Sequence, residues 1–125
     1  MQDFQNMFKD LFELDDSMDK YEWIIDYGTG TVGLAQKYHN DDTLVKGCSS
    51  PLWLAKEESG RIAAWGESSI VNGMACMICD WYNQASTKQQ LDFSLNTLTA
   101  IGLAPLLSMG RQNGVANLIA KIKTL

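Results

Sequence analysis

Cysteine is the residue type in this sequence with the clearest capacity for chemistry, and Cys48 has the most suggestive surroundings. It lies in the run Gly-Cys-Ser-Ser-Pro, where Gly47 gives the backbone freedom and Ser49 offers a hydroxyl donor. The thiolate is the nucleophilic form of cysteine, so a reactive Cys48 needs a cation nearby, either Lys46 or a distant arginine. From these features alone, a loop cysteine without a role is an equally good interpretation.

The other two cysteines, Cys76 and Cys79, form a CxxC pair. A tetrahedral zinc site needs two further Cys or His ligands, and a redox CxxC usually begins a helix, whereas this pair falls well inside a predicted one. Helical geometry puts Cys76 on the polar face with Asn72 and Asp80, and Cys79 at the edge of the apolar face. We predict that both are structural, with a disulfide between them as the alternative.

The remaining polar residues indicate no other chemistry. His39 is the only histidine, which argues against His-dependent triads and multi-histidine metal sites, and its polar neighbours predict a solvated loop position. The GTGTVG run follows a predicted helix rather than a strand, so it does not fit a dinucleotide-binding site. A net charge of -5 with 10 Lys and Arg residues disfavours nucleic acid as a partner.

Length and patterning predict one domain over residues 1–125, because 125 residues with 46% hydrophobic side chains can bury a single proper core. No segment approaches the run of about 18 apolar residues that crosses a membrane, and the acidic N-terminus is unlike a signal peptide. An odd number of cysteines fits a reducing compartment. The expected location is the cytoplasm.

The N-terminal half of the chain must position Cys48. Aromatic residues at helical spacing predict a first helix from Phe4 to about Leu14, and a second helix begins at Asp15–Ser17 and closes at Gly28. A flexible glycine-rich stretch follows as far as Gly33. Three short strands are then predicted in the runs LVKG, PLWLAK and RIAAW, with Cys48 in the first connection and Gly60 in the hairpin turn of the second.

The C-terminal half is predicted to be helical. A buried helix spans Ser69–Tyr82, and Ser86 with Gln89 forms a capping box for a helix that runs to Gly102. Ser108 begins the last helix, whose C-terminal dipole suits Lys121. The fold class is therefore α+β, a small three-stranded antiparallel sheet with helices packed on one face.

Several runs, in order along the chain, resemble the SufE family. The run LVKGCSSPLWL resembles its Gly-Cys signature, and Arg111-Gln112-Asn113-Gly114 after Leu107-Ser108 is similar to its Leu-Ser-x-x-Arg-x-Asn-Gly motif. Further matches are Lys20-Tyr21, Ile24-Ile25 with Gly28, and Ile70 to Met74. The chain departs from the family at Ser49, where glutamine is frequent, and at Glu67, where aspartate is expected.

The resemblance implies a SufE/IscU-like fold and a sulfur acceptor without its own cofactor or metal. Such proteins take a persulfide sulfur on the loop cysteine, here Cys48, from a pyridoxal-phosphate cysteine desulfurase of the SufS or CsdA kind. They activate that enzyme and relay the sulfur for iron–sulfur cluster assembly, with a Suf-type scaffold as a recipient. Gly47, Ser49, Glu67, Arg111 and Asn113 are the candidates for positioning the loop or docking the partner.

Such a chain is a sulfur carrier that acts with its partner rather than a stand-alone enzyme. Between transfers we expect the sulfur to be shielded by Trp53 or by the strand edges. Two alternatives stay open from the residues: an interaction module that activates an enzyme without carrying sulfur, and an IscU-like cluster scaffold. The scaffold requires several convergent ligands, which the separated cysteines do not suggest.

Overall fold

A computed structural model describes residues 3–125, so Met1 and Gln2 lie outside the described part of the chain. These residues form seven α-helices, two short 3-10 turns and a two-stranded sheet. The elements are α1 (Phe4–Met7), α2 (Lys9–Phe12), α3 (Ser17–Gly30), β1 (Leu52–Lys56), β2 (Ile62–Gly66), α4 (Ser69–Tyr82), α5 (Thr87–Asp92), α6 (Leu95–Ala100) and α7 (Met109–Ile122), with 3-10 turns at Gln36–Tyr38 and Ala104–Leu106. None of the helices in residues 3–125 combines the length and the apolar character needed to cross a bilayer.

The sheet is an antiparallel hairpin of β1 and β2, which confirms the predicted pairing of these two runs. Leu52 pairs with Gly66 and Lys56 with Ile62. The turn closes through the amide of Glu57, which donates to the carbonyl of Arg61 at 2.8 Å, and Gly60 takes a φ of 91° there. Glycine adopts this left-handed conformation without strain, and the turn therefore sets the register.

The predicted third strand is wrong, because the LVKG run contributes only an isolated bridge between Leu44 and Trp53. Two backbone hydrogen bonds accompany the bridge: Val45 donates to Leu52 at 2.7 Å, and Leu54 donates to Thr43 at 2.9 Å. Turns bound the pairing on both sides. The Asn40 side chain accepts from the Thr43 amide, and Gly47 has a φ of 81°, so no regular strand continues in either direction.

Helix α4 forms the centre of the core and has the predicted bounds. It packs against α3 on one side and β2 on the other, with Val71, Met74 and Ile78 fully buried. The prediction that Gly28 closes α3 is wrong, since α3 continues to Gly30. A Cβ on Gly28 would lie 2.8 Å from the Cα of Gly73, so this glycine permits close helix crossing instead of ending the helix.

Two helices predicted as continuous are interrupted at buried aromatic residues. The first segment breaks at Phe8 into α1 and α2, and the segment after the Ser86 capping box breaks at Phe93 into α5 and α6. Both rings belong to one aromatic cluster with Phe4, which lies 4.8 Å from Phe8 and 5.4 Å from Phe93 between ring centroids. The second break also has a local cause, because Ser94 begins α6 in a capping box with Thr97.

The outer face of the sheet is covered by the segment between α3 and β1, which includes the 3-10 turn Gln36–Tyr38, and α4 and α7 also contact the strands. Leu34 donates its amide to Ala64 at 3.0 Å and packs against Ala55 and Ala63. The prediction of a solvated His39 is wrong: its ring is half-buried and stacks on Trp53, with centroids 4.9 Å apart and planes 7° apart. The α+β fold class is thus confirmed.

Candidate functional site

Cys48 lies in a short loop whose base is fixed to the sheet. We call residues 46–51 the Cys48 loop. The hydrogen bond from the Val45 amide to the Leu52 carbonyl, at 2.7 Å, closes its base. The positive φ of Gly47 turns the chain immediately before Cys48, which is half-buried and packs against the edge of the core. One side of the thiol therefore contacts protein while the other remains accessible.

The protein surface behind the Cys48 loop is the N-terminal half of α7. A Cβ on Gly114 would overlap the Cβ and Sγ of Cys48 and would lie 2.9 Å from its Cα. A Cβ on Gly110, one turn earlier, would lie 3.3 Å from the Cβ of Ser49. Glycine at both positions allows the loop to approach the helix backbone closely. The expected cover from Trp53 is therefore wrong: Trp53 stacks on His39, and Gly114 contacts the cysteine.

Few polar groups surround the sulfur directly. The hydroxyl of Ser50 lies 4.0 Å from the Cys48 Sγ, which is at the limit of a weak sulfur hydrogen bond. Arg111 is half-buried in the turn of α7 between Gly110 and Gly114, and Asn113 is exposed in the same turn. The ion pairs formed within residues 3–125 include neither Arg111 nor Lys46. Both cations are therefore available to a ligand or partner charge that arrives at the loop.

Glu67 contacts the other end of the Cys48 loop through its backbone. Its amide donates to the Pro51 carbonyl at 3.0 Å, which fixes the chain where the loop enters β1. Its exposed side chain lines a groove on the outer face of the sheet together with Trp53, Trp65 and His39. Glu67 thus lies beside the loop, and its carboxylate belongs to the aromatic groove.

The predicted site residues therefore divide into two groups. Gly47, Cys48 and Ser49 lie beside one face of α7, and Arg111 and Asn113 belong to the turn of that helix between Gly110 and Gly114. Glu67 contacts the Cys48 loop through the hydrogen bond of its backbone amide to Pro51.

Cys76 and Cys79 are both buried inside α4, behind the sheet. Cys76 lies beside Asn72 as expected, with its Sγ 3.9 Å from the Asn72 Oδ1, but the expected polar face is wrong at this residue, because Cys76 is buried against the sheet, 4.0 Å from the carbonyl of Ala64. Burial, followed by the charge of Asp80, raises the pKa of Cys76 to about 12, and burial raises the pKa of Cys79 well above its ordinary value. Both thiols stay protonated at neutral pH and lack the nucleophilic form. Within residues 3–125, no three His, Cys, Asp or Glu side chains converge in a metal-binding arrangement.

Two residues that contact the segment before Cys48 were not predicted. The Asn117 Nδ2 donates to the Lys46 carbonyl at 2.7 Å, and the Lys121 Nζ donates to the carbonyls of Asp42 and Leu44 at 3.1 and 3.4 Å. Lys121 had been assigned to the helix dipole only. The spacing of Gly110, Gly114, Asn117 and Lys121 places all four on one helix face, and that spacing was the available signal.

Known proteins match this chain over nearly its whole length. The family model described as SufE, the Fe-S metabolism associated domain, matches residues 5–125. An uncharacterised SufE-like protein of Rhizobium etli is 29% identical over 98% of this chain and 88% of its own length. A second uncharacterised SufE-like protein, from Rhizobium meliloti, is 27% identical over 99% of this chain and 94% of its own. The chain therefore belongs to the SufE family and is associated with iron–sulfur metabolism.

Proposed function

We propose that this chain accepts a sulfur atom as a persulfide on Cys48 from a cysteine desulfurase and relays it for iron–sulfur cluster assembly. The observation that carries the proposal is the contrast among the three thiols. Cys48 is half-buried on a loop at the surface, whereas Cys76 and Cys79 are buried and held protonated. Membership in the SufE family supports a role in iron–sulfur metabolism and a desulfurase as the partner.

The transfer is an exchange between a thiol and a persulfide. The Cys48 thiolate attacks the outer sulfur of the donor persulfide, a new S–S bond forms at Cys48, and the donor S–S bond breaks. The donor cysteine leaves as a thiolate and takes up the proton that Cys48 lost. The number of S–S bonds is unchanged, so the step needs no external oxidant or reductant. Delivery to a recipient, a Suf-type scaffold in this proposal, repeats the same exchange with Cys48 as donor.

The surroundings of Cys48 suit such a carrier. The glycine at position 47 and the glycines of α7 let the thiol rest against the helix, where part of its surface is shielded from oxidants. Arg111, half-buried and outside the ion pairs of the described residues, is available to a negative charge near the loop. We assign it the role of positioning the donor persulfide or the partner surface.

Intact-mass measurement after incubation with a SufS-type desulfurase and free cysteine tests this function. We expect one added sulfur on the unsubstituted chain and on the controls Cys76→Ala and Cys79→Ala, and none on Cys48→Ser. A sulfur adduct that persists in Cys48→Ser would refute Cys48 as the acceptor. If Cys48→Ser also stimulated desulfurase turnover as fully as the unsubstituted chain, the chain would instead be an activating module without a carrier role.

A further inference from the structure

One face of α7 follows the chain that leads into the Cys48 loop. We call Gly110, Gly114, Asn117 and Lys121 the α7 stripe. Its spacings of four, three and four residues keep it on one side of the helix. The glycines contact Ser49 and Cys48, whereas the two polar residues hydrogen-bond to carbonyls earlier in the segment. The stripe therefore contacts this segment from residue 42 to residue 49.

Asn117 acts on the peptide next to the nucleophile. Its Nδ2 donates to the Lys46 carbonyl at 2.7 Å, and the same amide occupies the space where a Cβ on Gly47 would lie. Gly47 has a φ of 81°, so the turn that carries Cys48 depends on a glycine that Asn117 covers. Breaking this one side-chain hydrogen bond frees the Lys46–Gly47 peptide without disturbing the core.

Lys121 acts further from the nucleophile. Its Nζ bonds the carbonyls of Asp42 and Leu44, beside the bridge to Trp53. This part of the chain is also held by backbone hydrogen bonds to β1. Lys121 therefore bonds to a segment that backbone hydrogen bonds already hold, while Asn117 bonds to the Cys48 loop itself.

We propose that Asn117 is a positioning residue for sulfur transfer: it holds the Cys48 loop against α7 in a resting position, and its release exposes Cys48. The functional consequence rests on the proposed role of Cys48 as sulfur acceptor. When the loop leaves α7, water or a donor on the partner can take the place of Asn117 at the exposed Lys46 carbonyl, so release costs only the net value of one hydrogen bond.

Alkylation of the full-length chain by iodoacetamide, followed by peptide mass spectrometry, tests the positioning role without any partner. The reagent is uncharged, so neighbouring charges do not alter its local concentration. In Asn117→Ala and Asn117→Leu, which both lack the donor and add no charge, we expect Cys48 to react about 2- to 10-fold faster, the effect of losing one net hydrogen bond. Asn96→Ala, at an exposed position of α6, is the control and should leave the rate unchanged.

The buried thiols of the same chain report whether the opening is local. Cys76 and Cys79 should stay unmodified while the Cys48 rate rises. An unchanged Cys48 rate in both Asn117 variants would overturn the proposal, and so would a parallel rise at all three cysteines, which would mean that the whole chain opens. These outcomes are independent of whether Cys48 carries sulfur.

A second comparison separates Asn117 from Lys121. Lys121→Ala should raise the Cys48 rate less than Asn117→Ala, because the backbone bonds at Val45 and Leu54 remain. Its matched control is Lys123→Ala, which loses a similar bond from an ammonium to the Leu91 carbonyl, away from the loop. A larger effect in Lys121→Ala would overturn the assignment to Asn117. Absence of a persulfide on the unsubstituted chain would refute the proposed function alone and leave the alkylation result unaffected.

Discussion

Replacing Gly114 by alanine tests the contact that holds Cys48 against α7. The added Cβ would overlap the Cβ and Sγ of Cys48 and would come within 2.9 Å of its Cα. Rotation of the thiol cannot relieve a contact with a backbone atom, so the Cys48 loop or the helix must move. Gly110→Ala is the matched control on the same helix face, because its Cβ would lie 3.3 Å from the exposed Ser49 side chain, which can shift slightly.

Opposing effects set the expected change in the free energy of unfolding. Alanine stabilises a helix interior relative to glycine by about 1 kcal/mol. This gain applies to both variants, but it is smaller at Gly110, which lies near the start of the helix. Overpacking costs about 1–3 kcal/mol, and displacing the loop instead loses the Asn117 hydrogen bond, about 1 kcal/mol. We therefore expect Gly110→Ala to be neutral or slightly stabilising. At Gly114 the helix gain of about 1 kcal/mol offsets part of the cost of about 1–3 kcal/mol, so the free energy of unfolding of Gly114→Ala should be lower than that of Gly110→Ala by up to about 2 kcal/mol.

Urea denaturation gives the difference in free energy of unfolding, and iodoacetamide labelling of Cys48 reports the position of the loop. Gly114→Ala should combine reduced stability with faster Cys48 labelling, whereas Gly110→Ala should change neither markedly. If the two variants unfold alike and label alike, Cys48 does not rest on Gly114 and the geometry of the site is wrong.

Two further predictions concern the core. Gly73→Ala should lower the free energy of unfolding by about 1–3 kcal/mol in urea denaturation, because its Cβ would lie 2.8 Å from the Ile24 Cγ2 and closer still to the backbone of α3. Gly30→Ala is the control, since no atom lies within 4 Å of its Cβ. Equal stability of the two variants would contradict the close crossing of α3 and α4. Stability should also fall as the pH rises from about 9 to about 12, because burial raises the pKa values of Cys76 and Tyr82 to about 12 from ordinary values of 9.0 and 10.0. Between these pH values the folded chain keeps protons on Cys76 and Tyr82 that the unfolded chain releases. The stabilisation is therefore complete below pH 9 and is lost as the pH rises through the pKa values of the folded chain. Tyr82→Phe should make the decline shallower, and a flat profile in the unsubstituted chain would show that these groups titrate normally.

Local signals in the sequence predicted the elements whose geometry is decided locally. The apolar spacing from Ile70 to Tyr82 predicted α4 with its observed bounds, and the Ser86–Gln89 capping box is present with both of its hydrogen bonds. Gly60 has the positive φ that the hairpin turn required. In each case the deciding interactions join residues within one helix or one turn.

Features decided by distant contacts were predicted less well. The helical spacing continues through Phe8, yet the helix breaks there, where the ring packs against Phe4 in the core. The break at Phe93 had a local signal that was missed, the capping box of Ser94 with Thr97. The LVKG run forms only a bridge at Leu44 because turns bound it on both sides, and beyond it the Lys46 carbonyl bonds to Asn117 of α7. Periodicity identifies the buried face of a helix but not the loop it meets, and this is why the family motif located Cys48 while its contacts with α7 were missed.

The closed base of the Cys48 loop limits how far the sulfur can travel. Val45 remains bonded to Leu52, and Cys48 is the third residue beyond it. A fully extended chain covers at most about 3.3–3.6 Å per residue, so the Cα of Cys48 can reach about 10 Å from Val45 while the rest of the fold stays in place. A donor cysteine at the bottom of a cleft of that depth is therefore within reach, even where the cleft is too narrow to admit a helix or a sheet. Under the proposed function, loop length thus sets the greatest depth at which a partner can bury the sulfur that it passes on.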